Sequence, residues 1–189
     1  MKRTTLIAFS AAVLAVGACG KKAEPSNETA AVNTMGPGNS AGETVAPVTQ
    51  GQTFANTAAS SDTFEIETSR LAETNSGSTA VKNFAQAMIK AHTVSTEKLK
   101  AAAGKANPAI TPLPALTASQ QQVVDGLKTK TGAAFDAAYK EAQVSGHQAT
   151  LEALRAYSAQ GDVASLKTFA TEMIPVVTGH LNMANGLKG

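Results

Sequence analysis

Apolar side chains recur at intervals of three and four along four stretches of the chain, which predicts four amphipathic helices. Over residues 52–75 the stripe is Phe54, Ala58, Ser61, Glu65, Ser69 and Ala72, with Phe64 and Leu71 beside it. Gly77 breaks the pattern and Ser78 can cap the next helix, residues 79–105, whose stripe is Val81, Phe84, Ala85, Met88, His92, Ser95, Leu99 and Ala102. Pro108, Pro112 and Pro114 then stiffen a connection, and Thr117 caps a short helix over 119–128. Gly132 precedes a long helix over 133–159 whose inner face runs from Phe135 and Tyr139 through His147 to Leu151, Leu154 and Tyr157. After a Gly161-Asp162 turn, a last helix over 163–187 carries Leu166, Phe169, Met173, Val177, His180 and Ala184, with a kink expected at Pro175. The expected fold is all-α: a four-helix bundle in up-down order with a short extra helix before the third, occupying residues 52–189 as one domain.

No period of 3.6 or 2 is visible between Gly20 and Gly51, where Ser, Thr, Asn, Gly, Pro and Ala dominate. Residues 19–51 therefore read as a disordered, flexible tether with a reach of roughly 30 Å. Ahead of it, Lys2-Arg3 and an apolar run from Leu6 to Val16 read as a secretory signal, because such a run is too short to cross roughly 30 Å of hydrocarbon. The segment Leu14-Ala15-Val16-Gly17-Ala18-Cys19 resembles the cleavage region of bacterial lipoproteins. That resemblance implies removal of residues 1–18, a lipid on Cys19 and a membrane as partner. Gly20 in place of Asp resembles lipoproteins of the outer membrane, so the expected location is its periplasmic face.

Charge and composition narrow the chemistry. The chain has 16 Lys and Arg against 14 Asp and Glu; without Lys2 and Arg3 the remainder balances, and no basic cluster offers a nucleic acid its phosphate contacts. Cys19 is the sole cysteine, and the lipid implied for it leaves no thiol for a disulfide or a zinc–thiolate site. With no Trp and few aromatics, the core must come from closely packed aliphatic side chains, Met and a few Phe.

The chain's three histidines, His92, His147 and His180, each fall on the apolar stripe of a different long helix. An imidazole is costly to bury without partners, so either ordinary core hydrogen bonding or a shared metal is implied. As ligands they suit copper, zinc or iron, with Glu65 as an added carboxylate. A shared ion requires their ring nitrogens to lie within about 5 Å of one another. Met88 and Met183 share helical faces with His92 and His180, and soft sulfur there tilts the choice toward copper, although thioethers also serve simply to fill a core. Asp136 reads as a further polar neighbour of the site or as a first-turn residue favoured by the helix dipole. An enzyme is not expected. Residues three before the histidines are Ile89, Val144 and Val177 rather than the Glu of a di-iron centre, no Gly-x-Ser-x-Gly turn occurs, and Asp136 and Glu141 are five apart on one helix.

The stretches Ser61–Ala72, Val81–Ile89 with His92, Gly132–Tyr139 with His147, and Pro175 with His180-Leu181 resemble, in order and spacing, bacterial exported proteins grouped as domain-of-unknown-function family 4142. The resemblance implies a ferritin-like four-helix bundle and marks Glu65, His92, Phe135, Asp136, His147, Pro175 and His180 as motif positions. Members commonly read Asp-His where this chain has Ala91-His92, so the resemblance implies no carboxylate beside His92 from that position. It supplies no reaction. The functional expectation is a non-catalytic binding module with a transition metal at the histidines; the alternative is a structural or interaction protein of the envelope.

Overall fold

The computed structural model describes residues 48–188. The expected signal, most of the tether and Cys19 lie outside them. All regular structure among the described residues is helical: α1 Gln50–Asn75, α2 Thr79–Ala103, α3 Ala118–Lys128, α4 Gly132–Gln160 and α5 Ala164–Gly186.

Helix α1 starts inside the stretch expected to be tether. Thr49 Oγ1 accepts from the backbone N–H of Gln52 at 3.1 Å, which satisfies one of the first-turn donors. Gly51, whose type suggested a linker, is buried: a Cβ there would meet Val163 at 2.8 Å and Ile110 at 3.0 Å. Ser78 caps α2, and Thr117 with Gln120 forms a reciprocal capping box on α3. Gly132 opens α4 at a φ of 57°, a conformation that disfavours any residue with a Cβ. Helix α5 runs unbroken through Pro175, which sits on its exposed side.

The four long helices pack as two hairpins, α1 with α2 and α4 with α5, joined side by side through α1–α4 and α2–α5 contacts. One apolar cluster joins the start of α1 (Phe54, Ala59), the end of α2 (Leu99, Ala103), the end of α4 (Leu154, Tyr157) and the start of α5 (Leu166, Phe169). The other joins the end of α1 (Phe64, Ala72), the start of α2 (Val81, Phe84), the start of α4 (Phe135, Tyr139) and the end of α5 (Ala184, Leu187). Neighbouring helices are therefore antiparallel, and α4 runs in the same direction as α2. The order is up-down-down-up rather than strictly up-down, because the α2–α4 connection traverses the bundle instead of closing a hairpin. Ferritin-like bundles share this single long crossover.

That crossover holds α3. Asn56 Oδ1 accepts from the backbone N–H of Leu113, Ser60 Oγ donates to Gln120 Oε1 at 2.6 Å, and Val124 and Leu127 enter the second cluster. The α1–α4 side is thereby covered by α3, while the α2–α5 side makes no comparable contact with it. Between the two apolar clusters, at mid-depth, each long helix contributes buried polar residues: Asp62 and Glu65 from α1, His92 and Ser95 from α2, Gln143 and His147 from α4, and His180 from α5.

Candidate metal centre

The three histidines meet in that middle layer. His92 and His147 lie near the middle of α2 and α4 and His180 lies in the last third of α5, and the packing of the helices brings all three to one depth. Ring centroids are 5.6 Å apart for His92–His147, 5.4 Å for His92–His180 and 5.5 Å for His147–His180, a nearly equilateral triangle. One ligand nitrogen from each lies within 4.8 Å of the others, and all three residues are buried. Four ligands held tetrahedrally at about 2.05 Å from a zinc ion are roughly 3.3 Å apart, so binding would draw the rings inward by about 1 Å.

Outer hydrogen bonds fix which nitrogens face the centre. His92 Nδ1 pairs with Asp62 Oδ1 at 2.8 Å, and Thr96 Oγ1 donates to Asp62 Oδ2 at 3.1 Å, so the carboxylate is held at both oxygens. His147 Nδ1 donates to the backbone carbonyl of Gln143 at 2.7 Å. With each Nδ1 committed as donor, Nε2 of each ring carries a free lone pair in the neutral form, which His92 reaches only on losing the proton that Asp62 helps it hold. A histidine that ligates a metal ordinarily donates its other ring N–H in this way, which orients it and raises its basicity. Buried without a hydrogen-bond partner are His92 Nε2, His147 Nε2, His180 Nδ1 and both oxygens of Glu65. Unpaired buried polar atoms cost about 1–3 kcal/mol each, and one cation would satisfy the three nitrogens together. The donor set therefore fits a transition metal.

Burial pushes the carboxyl of Glu65 up to about 7, against the opposing pull of the His92 charge. It pushes His147 down to about 3 and His180 down to about 4, and repulsion from His92 adds to both shifts. Burial also works to lower His92, but the hydrogen bond to Asp62 and the nearby carboxylates outweigh it and raise this histidine. His147 and His180 are therefore neutral at physiological pH, the form that coordinates a metal.

The remaining sequence candidates divide. Glu65 stands beside the triangle, its Oε1 3.5 Å from His147 Nδ1, and forms no part of the compact nitrogen set. Met88, fully buried, and Met183, half exposed, line a groove on the far side of His180. Asp136 does not belong to this layer: it lies eleven residues before His147 in the chain, about 16 Å along a helix, and accepts a hydrogen bond from Ser76 Oγ at the α1–α2 turn.

Three contributors escaped the sequence reading. Asp62 supplies the carboxylate that the Ala91 position lacks; its spacing of three from Glu65, on one helical face, was the available signal. Gln143, whose Nε2 donates to Thr68 Oγ1 at 3.1 Å, could not be told from a surface glutamine. Gly146 lets α1 and α4 approach, since a Cβ there would sit 2.7 Å from Glu65 Oε1 and 3.3 Å from Phe64.

No curated protein and no solved structure matches the chain. The model of one family, described as Domain of unknown function (DUF4142), matches residues 36–187. With that match and the all-α bundle in agreement, the chain belongs to the DUF4142 family.

Proposed function

We propose that this protein is a non-catalytic transition-metal-binding module of the cell envelope, with the ion held by His92, His147 and His180. The observation that carries the reading is the pairing of converging, unpartnered ring nitrogens with outer donors, Asp62 and the Gln143 carbonyl, that leave those nitrogens free to coordinate. Three imidazoles with an adjacent carboxylate suit zinc, copper or iron. Glu65 would offset part of the charge of a bound cation in a layer closed off from water.

Equilibrium dialysis of the full chain against copper and zinc should find one ion per molecule. Asp62→Asn should weaken binding by about 10–100-fold through loss of the orienting carboxylate. Binding no stronger than that of a variant with all three histidines changed to Gln would sink the reading in favour of a structural protein whose histidines only fill the core.

Attachment to the envelope is supported by the sequence ahead of the bundle. The lipoprotein-like segment ending at Cys19 would anchor the domain to the periplasmic face of the outer membrane. Cells fed an alkyne fatty acid should label the protein, and Cys19→Ser should abolish the label. Equal labelling of that variant would exclude the anchor.

A further inference from the structure

We propose that the groove between α2 and α5 is the capture site and access route for monovalent copper, which its methionine thioethers receive and pass to His180; this rests on the metal reading of the histidine layer. The sequence has five methionines. The three among the described residues, Met88, Met173 and Met183, all line one groove of about 410 Å³, together with His180. They arrive there from two helices and from three depths of burial: Met88 fully buried, Met173 5% exposed and Met183 48% exposed.

Placement and chemistry agree. On α5, Met173, His180 and Met183 follow one another at spacings of seven and three, so they share a face. His180 belongs both to the groove wall and to the histidine triangle, where its Nδ1 is sealed from solvent. Met173 also borders a cavity of about 20 Å³ that abuts His92 and Asp62, so its side chain stands between the groove and the histidine layer. The groove lies on the α2–α5 face of the bundle, which makes no contact with α3 comparable to that of the α1–α4 face.

Thioethers are soft donors that favour Cu(I) and bind Zn(II) poorly. Exposed Lys90 and Lys98 also line the groove. Their charge opposes any entering cation in proportion to its own charge, so a divalent ion meets twice the repulsion that a monovalent one does. The groove thus discriminates by softness and by charge in the same direction, ahead of a histidine layer that would accept either metal.

The test uses the full chain under anaerobic conditions, mixed with one equivalent of Cu(I) as its acetonitrile complex. Aliquots are quenched at intervals with excess bicinchoninate, whose colour reports copper not yet buried; Zn(II) is followed in parallel with a chromogenic zinc chelator. Met173→Leu/Met183→Leu keeps side-chain volume and apolar character, so the fold and the groove's width are retained. Expected is Cu(I) protection slowed by about tenfold in this variant, with Zn(II) protection unchanged and both metals reaching the wild-type stoichiometry. Equal Cu(I) rates in variant and wild type overturn the proposal, and so does equal slowing of both metals, which would make the groove a size filter without a role for sulfur. Those outcomes leave the histidine centre standing. A wild-type protein that protects neither metal removes the centre and the groove's role together.

Discussion

Loading the histidine triangle with the proposed transition metal should raise the melting temperature by about 12 °C. An ion that binds only the folded state, at a free concentration of about a thousand times its dissociation constant, stabilises that state by about 4 kcal/mol. A domain of this size shifts by roughly 3 °C per kcal/mol. Here the ligands come from three different helices, and the nearest two in sequence, His147 and His180, belong to opposite arms of the α4–α5 hairpin. An unfolded chain cannot hold the three nitrogens within 4.8 Å of one another, so the binding energy falls almost wholly on the native side. Calorimetry of metal-loaded and chelator-stripped protein, with the variant carrying Gln at all three histidines as control, measures the effect directly. Melting curves that coincide for loaded and stripped wild type would show that the layer is held by its own packing and hydrogen bonds alone.

Substitutions at Gly146 should separate the site from the scaffold. A helix gains about 1 kcal/mol when an interior Gly becomes Ala, which offsets a modest steric penalty. The Cβ of Gly146→Ala, however, would lie 2.7 Å from Glu65 Oε1, and a carboxylate at the end of its side chain can turn aside more easily than the ring of Phe64 at 3.3 Å. Gly146→Ala should therefore change stability by less than about 1 kcal/mol while weakening metal affinity by about tenfold, as the compensating charge moves away. Gly146→Val adds two methyl groups beyond the Cβ of the alanine variant where α1 and α4 touch, and overpacking of that kind costs about 3 kcal/mol at the upper end of its usual range. Urea unfolding paired with metal titration distinguishes the two effects. An alanine variant of full affinity would remove Glu65 from any part in binding.

How far the sequence discloses this arrangement depends on what each residue's signal consists of. The long helices are legible because their periodicity repeats over six or more turns, and the histidines stand out because a buried imidazole is unusual wherever it falls. Their shared depth cannot be read from position along each helix, because His92 and His147 lie near mid-helix whereas His180 lies in the last third of α5. The direction of α4 is not legible, since a proline-rich link with a short helix can turn back or run on, and only the pairing of Phe54 with Tyr157 against that of Phe64 with Phe135 decides between them. Asp62 was hidden for a different reason: one carboxylate in a Ser- and Thr-rich helix resembles a solvated one until a partner on another helix is seen. Asp136 erred the other way, its polar character inviting a place near the histidines when its work is to hold a turn three helical turns away. Gly51 and Gly146 carry almost no sequence signal, because the need for a missing Cβ arises only from the neighbour that would collide with it.

The polar layer divides the interior into two apolar compartments that share no side chain. Each compartment closes around its own aromatic residues, Phe54, Tyr157 and Phe169 at one end, Phe84, Phe135 and Tyr139 at the other. Sequence drift can therefore repack either end to meet a new neighbour without disturbing the other, as long as the stratum between them is left intact. The middle of this molecule is its fixed part, and its two poles are free to diversify.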